Sequence, residues 1–377
     1  MKVQEVLFEN NIKRYLLVDS QGSLITPVCK YLKYIDNTKK SYNTQKTYAH
    51  ALKQYFDFLD KEDIDYKIVN LEILAKFVGW LRNPYGSTNT ISIVPIESKR
   101  SEKTINLIIT VVTNFYDFLF RNNQLQNNLT ENLKKTIFSG GKVKYKGFLY
   151  HITKGDSINK NLLKLKVPKK KVQVLSKDEI EILYSMITNI RDEFLVKLLF
   201  ETGLRIGEAL SLFIEDIIFD HKNGHRIRLV NRGELQNGCR LKSGEREIYI
   251  SQELFDLFDD YTYEILDELE IDTNFLFVKL KGKDKGKPLE YHNVRAIFDR
   301  LKKVTGIDVH AHILRHTHAT LYYNATKDIK QVQERLGHSQ IQTTMNLYLH
   351  PSDEDIRKNW EIAQPSFRLD KRENNND

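Results

Sequence analysis

The sequence is poor in the residues that mark secreted, collagen-like or membrane-bound chains. Among 377 residues there are two cysteines, Cys29 and Cys239, seven prolines and 17 glycines. Two distant cysteines make neither a disulfide framework nor a zinc set, which fits a reducing cytoplasm. So little proline and glycine excludes collagen-like and low-complexity classes, and 41% hydrophobic with 29% charged residues excludes disorder of the whole chain. No apolar run approaches the ~18 residues of a membrane span. The opening MKVQEVLFENN has no signal-peptide core, so neither secretion nor a membrane partner is expected. At ~150 residues per domain, the length suggests two or three domains.

Acidic residues are nearly missing from one stretch. Between Lys142 and Lys171 there are ten lysines and a single acid, Asp156, so these 30 residues carry +9 while the rest of the chain sums to −1. Such a run reads either as a solvated linker or as a strap lying along a polyanion between two domains. Nucleic acid is the leading partner on charge.

Apolar spacing divides the chain. Residues 1–37 read as a short leading segment with a turn at Asp19-Ser20-Gln21-Gly22. From Ser41, Tyr48, Leu52, Tyr55, Phe56 and Leu59 form one helical stripe, which Asn43 or Thr44 would cap. Further stripes run through Leu71, Leu74, Phe77, Val78 and Leu81, ending before Pro84, and through Ile105, Ile108, Val112, Phe115 and Leu119. Residues 38–137 are therefore expected to form a helical domain, and 138–171 a basic linker. Ser176-Lys177-Asp178-Glu179 has the form of a capping box and opens a second domain, 172–352. Strand-like segments follow at 214–219, 226–230 and 247–250, the first two joined across Asn223-Gly224, before helical patterns resume at Gln252. Residues 353–377 form a tail whose Ile356, Trp360 and Ala363 make a last apolar stripe. The expected class is mainly α with a small antiparallel β-sheet, in two domains.

Three segments carry chemistry. In TGLRIGEAL, Arg205 follows a glycine stop, where a helix start favours an anion, and Glu208 lies on the same face to orient its guanidinium. In HAHILRHTHAT, His312, Arg315 and His316 share a helical face while Ile313 and Leu314 turn inward. Four histidines in nine residues invite a zinc reading, but no cysteine or acidic ligand set accompanies them. A phosphate site with Arg315 as clamp and His312 as acid or base fits better, with His316 and His318 as hydrogen-bonded core histidines. In LGHSQIQTTMNLYLH, Gly337-His338 ends a helix and Tyr348 follows ten residues later. A phenol is a poor nucleophile unless cations stabilise its phenolate, so Tyr348 matters only if the arginines converge on it.

These three segments, in this order, with Arg205, His312 and His338 separated by 107 and 26 residues, resemble the signature of the tyrosine recombinase, or phage integrase, family. The likeness covers about residues 172–352, residues 38–137 resemble the family's core-binding domain, and the whole layout is similar to the transposase A branch of site-specific mobile elements. The resemblance implies a two-domain DNA clamp that cuts and rejoins double-stranded DNA at specific sites. Arg205 and Arg315 would grip the scissile phosphate, Tyr348 would form a 3′-phosphotyrosine, and His312 would manage its proton. His338 would hydrogen-bond the phosphate and Glu208 would steady the site. The family's general-acid lysine sits on a β-hairpin. Lys242 in CRLKSGEREIYI fits that place better than Lys222, because the strand-like Arg246–Ile250 follows it.

The resemblance also implies a homo-oligomer, dimer or tetramer, on DNA, accessory element-encoded proteins as further partners, and no cofactor or metal. His318 departs from the family pattern, where many relatives carry an aromatic residue. A DNA-binding regulator of the same fold without chemistry and a type IB topoisomerase are the competing readings; the full polar set with Tyr348 argues for the enzyme.

Overall fold

The computed structural model describes residues 1–7, 13–84, 98–137, 158–168, 172–269 and 273–341, with 357, 361 and 364. Tyr348 and the Trp360 stripe lie outside the described residues. The chain divides into two compact units, Met1–Lys169 and Lys170–Asp377. Among the described residues, no helix is long and apolar enough to cross a membrane.

The first unit opens with an antiparallel hairpin, β1 (Lys2–Leu7) and β2 (Lys13–Val18), in which Lys2 pairs with Val18 and Leu7 with Lys13. Helices α1 (Thr26–Asn37), α2 (Tyr42–Lys61), α3 (Leu71–Arg82) and α4 (Glu102–Arg121) follow. A short α5 (Leu129–Asn132) leads to β3 (Lys134–Ile137), which pairs antiparallel with β4 (Ile158–Asn161). The expected stripes bury Leu52, Tyr55, Leu74, Phe77, Ile108 and Phe115, although Leu71 is exposed. Tyr15 and Leu17 of β2 and Val28, Tyr31, Leu32 and Ile35 of α1 belong to the same core, so β2 and α1 of the leading segment pack as part of this unit. The cap of α2 is Ser41, not Asn43 or Thr44: its Oγ accepts the Thr44 N–H at 3.4 Å, and the Thr44 hydroxyl bonds Ser41 instead.

The described part of the lysine-rich stretch joins this unit. The Asn106 side chain on α4 donates to the Leu165 carbonyl and accepts the Leu165 N–H, both at 2.8 Å, as a neighbouring strand would. Leu163 and Leu165 are half-buried while Lys164 and Lys166 are exposed, the two-residue alternation of an extended chain with one face on a core.

The second unit begins with α6 (Lys177–Ser185), whose Ser176–Glu179 capping box is present in both directions. Next come α7 (Ile190–Thr202), closed by Gly203 at φ +64°, and a single turn α8 (Ile206–Ala209). A three-stranded antiparallel sheet follows, in the order β5 (Ile217–Ile218), β6 (Arg226–Leu229), β7 (Arg246–Tyr249). The first strand is shorter than its sequence suggests. The Asp216 carboxylate accepts the Phe213 N–H at 2.8 Å and both ends of the Arg232 fork, which holds residues 214–216 in a 3₁₀ turn. Then come α9 (Gln252–Tyr261), α10 (Tyr291–Thr305), α11 (Ala311–Thr326) and α12 (Ile329–Leu336). Phe194, Leu198, Leu199, Ile227, Phe277 and Leu314 centre the core. Cys239 is buried there, and burial pushes its thiol up to about 11, which keeps it unreactive.

Candidate active site

Three chain turns in the second unit bring Arg205, His312, Arg315 and His338 together, while the expected nucleophile Tyr348 lies outside the described residues. Gly203 stops α7 in the left-handed conformation and turns the chain so that Arg205 becomes the residue before α8. Gly337, at φ +63°, stops α12 in the same way and delivers His338, whose N–H bonds the Gln333 carbonyl at 3.0 Å. His310 caps α11 through Nδ1, accepting the Ile313 N–H at 3.3 Å, and the helix then carries His312 and Arg315.

Glu208 is the centre of the arrangement. Its side chain is 1% exposed and accepts from Arg205 Nη1 at 3.0 Å, Arg246 Nη2 at 3.1 Å and the Ser243 hydroxyl at 2.8 Å, with Arg315 Nη1 at 3.9 Å. Burial pushes the Glu208 carboxyl up, but Arg246, the Arg205 N–H, Ser243 and Arg205 together outweigh it and hold it below the usual carboxylate range. The backbone N–H of Arg205 donates to Glu208 Oε2 at 3.0 Å. The helix start therefore spends its donor on Glu208, and the anion-binding capacity at this point resides in the Arg205 guanidinium, not in the four-residue helix.

Arg315 is 3% exposed. It donates to the Gly203 carbonyl at 2.7 Å, the Leu336 carbonyl at 2.8 Å and His338 Nε2 at 2.9 Å. Since arginine can only donate, His338 accepts at Nε2 and carries its proton on Nδ1. Burial, then the Arg315 and Arg205 charges, lower His338 to about 4, so it is neutral at pH 7. The Leu336 carbonyl is shared: Arg205 Nη1 reaches it at 3.3 Å and Arg246 Nη2 at 3.5 Å.

These groups line one cleft of about 770 Å³, with Arg205, Glu208, Lys242, His312, Arg315 and His338 around it and Val294 and Phe298 of α10 among its apolar lining. Lys242 is exposed on the loop before β7. Lys222 sits in the turn after β5, outside the cleft lining. His312 is exposed, its ring 4.1 Å from that of His316, which is buried and lowered to about 4 by burial, His312 and Arg315. His318 is a hydrogen-bonded core residue: Arg335 Nε donates to its Nε2 at 3.1 Å, which leaves Nδ1–H to donate to the Phe200 carbonyl at 3.0 Å. Among the described residues, no group of three or more His, Cys, Asp or Glu is placed to hold a metal.

The phage integrase family profile matches residues 173–355, and the phage integrase N-terminal SAM-like domain matches residues 28–123. Transposase A from transposon Tn554 of Staphylococcus aureus is 41% identical over 364 residues, 96% of this chain and 97% of that protein. The chain belongs to the phage integrase family. It is a tyrosine recombinase, an enzyme of DNA strand cleavage and rejoining. The tyrosine recombinase XerA of Saccharolobus solfataricus is 31% identical to this recombinase over 204 residues, 53% of the chain and 60% of that protein. Two solved structures share the recombinase's fold. One is a Tn1549 transposon integrase in complex with transposon right end DNA, at TM-score 0.61 and 19% identity, covering 90% of this chain and 98% of that one. The other is the XerH site-specific recombinase bound to its palindromic difH substrate, at TM-score 0.58 and 21% identity, covering 89% and 83%.

Sequence reading of the recombinase overlooked Ser243 and Arg246 as members of the Glu208 group. Both lie within four residues of Lys242, so proximity to that lysine was the available signal.

Proposed function

We propose that this recombinase cuts and rejoins double-stranded DNA at specific sites, with its phosphate chemistry in the cleft between Arg205, Lys242, His312, Arg315 and His338. The convergence of Arg205 and Arg315 on the single carbonyl of Leu336 carries this reading, since it places two guanidinium groups 110 residues apart in sequence side by side. A scissile phosphodiester in the cleft gains negative charge in its transition state, and cations already fixed by Glu208 and by backbone carbonyls stabilise that charge without reorganising. The neutral His338 adds a hydrogen bond to the phosphate. Tyr348 attacks phosphorus, its proton passing to His312, and a 3′-phosphotyrosine forms as the P–O5′ bond breaks. Lys242 protonates the departing O5′. The bond to tyrosine preserves the energy of the phosphodiester, so rejoining needs no nucleotide cofactor.

Residues 38–137 grip the DNA as the core-binding domain ahead of the catalytic domain, 172–352, and the lysine-rich 138–171, whose described part packs on the first unit instead of forming a free linker, contributes its lysines to the phosphate backbone. The exposed Lys164 and Lys166 support that role. Strand exchange between two duplexes requires more than one copy, so the enzyme works as a dimer or tetramer on DNA, with 353–377 as the natural connector and the cytoplasm as its compartment. The test is direct. Tyr348→Phe should bind its site as tightly as the wild type and form no covalent protein–DNA product on denaturing gels. Covalent product from that variant would overturn Tyr348 as the nucleophile, and mapping the trapped DNA end in the wild type would give the cleavage position.

A further inference from the structure

Arg246 differs from the two arginines that face the cleft. It opens β7 four residues after Lys242, and its side chain is 13% exposed against 32% for Arg205. Its donors are directed at protein. Nε donates to the Arg335 carbonyl at 3.0 Å, and Nη2 to Glu208 at 3.1 Å and to the Leu336 carbonyl at 3.5 Å. Ser243, next to Lys242, bonds the same carboxylate at 2.8 Å. A Cβ at Gly337 would fall 2.7 Å from Ser243 Cβ and 2.8 Å from Arg246 Nη1. The Lys242 loop therefore sits directly on the turn that ends α12 and delivers His338, with no room for a side chain between them.

We infer that Arg246 is a positioning residue that locks the Lys242 loop to the α12 terminus, and so fixes the distance between the leaving-group proton donor and the phosphate clamp. The inference rests on Lys242 being the general acid. Lys242 itself is exposed and its loop has no regular structure, so its place is set by what its neighbours hold. Ser243 and Arg246 follow Lys242 where its loop enters β7, and both are tied to Glu208, which also orients Arg205. A planar fork suits this joint because its acceptors are the Glu208 carboxylate on α8 and two consecutive backbone carbonyls, of Arg335 and Leu336, at the end of α12. A lysine ammonium is a point donor on a flexible stem and would satisfy the carboxylate while releasing the carbonyls.

Arg246→Lys accordingly keeps the charge beside Glu208 and loosens the loop. A misplacement of about 1 Å in a reacting group can cost ~100-fold in rate. The variant should bind its site normally and cleave an ordinary duplex roughly 10–100-fold more slowly. On a duplex with a 5′-bridging phosphorothiolate, whose thiolate leaves without a proton, most of that loss should disappear. Lys242→Ala is the control. If both variants recover on the phosphorothiolate, the inference stands. If Lys242→Ala recovers while Arg246→Lys is equally slow on both substrates, or if Arg246→Lys cleaves the ordinary duplex at the wild-type rate, Arg246 does not position Lys242. If Lys242→Ala fails to recover, the general-acid reading of Lys242 falls and the inference falls with it. Should Arg246→Lys melt below the assay temperature, Ser243→Ala, which removes one hydroxyl from the same joint, decides the question on the same two substrates.

Discussion

His318 illustrates how packing selects a protonation state. Its two ring nitrogens are committed to Arg335 and to the Phe200 carbonyl, and burial followed by the Arg335 charge lowers it to about 3. An unfolded histidine titrates near ~6.5. Below that pH the unfolded chain binds a proton that the native one refuses, so this group's contribution to stability is complete above pH ~6.5 and is lost as pH falls toward 3. The steepest slope for one such proton is ~1.4 kcal/mol per pH unit. His318→Gln, which keeps a donor and an acceptor without titrating near neutrality, should flatten the stability profile between pH 4 and 6.5 by about one proton. Urea unfolding across that range would measure it, and an unchanged slope would mean that His318 is protonated in the native protein. The arginines allow a sharper test. Arg315→Lys can keep one of three bonds, to Gly203, Leu336 or His338, and should lower the cleavage rate by ~100-fold or more with little change in site binding, as measured by single-turnover cleavage and gel shift. A rate within threefold of wild type would remove Arg315 from the clamp.

At the scale of elements, the glycines that close α7 and α12 are the parts the site tolerates changing least. At Gly203 the backbone is left-handed, and a Cβ would stand 2.5 Å from a His318 ring carbon and 2.9 Å from a Leu336 methyl. Gly203→Ala should therefore destabilise the protein by roughly 2–4 kcal/mol, the sum of left-handed strain and overpacking. Thermal or urea unfolding reads this directly. The sequence announced these turns, because a glycine after an apolar helix and before Arg205 or His338 has few other uses. It also announced the helices, whose 3.6-residue stripes match the buried faces of α2, α3 and α4. The role of Arg246 was not legible. Its bonds to Glu208 and Arg335 cross 38 and 89 residues, and its loop has no period to read. The length of β5 was hidden for a related reason: Ile214–Phe219 has the composition of a strand, and the Asp216–Arg232 pair that shortens it joins residues 16 apart. Local pattern reveals elements, whereas ion pairs that re-aim a chain are revealed only when its distant parts have met.

For the whole molecule, charge placement makes the prediction. Lys164 and Lys166 alternate with leucines anchored by Asn106, so their ammonium groups are carried outward on an ordered edge. If both neutralise DNA phosphates, replacing them with glutamine should reduce the slope of log affinity against log salt by up to ~1.8, at ~0.9 per lost contact, for cognate and random duplexes alike. Filter binding at several salt concentrations measures the slope, and an unchanged one would return this edge to solvent.

The Leu336 carbonyl has a consequence of another kind. Three guanidinium groups meet on an oxygen that belongs to the main chain, so no side-chain replacement at position 336 can delete their meeting point. Point substitution can erode the clamp one arm at a time. Its hub is lost only when the last turn of α12 unwinds, which ties the existence of the phosphate site to the integrity of an eight-residue helix. A substitution at Leu336 itself therefore leaves the hub in place, whereas momentary fraying of this last turn removes it, and a side chain at Gly337 would press on the same turn.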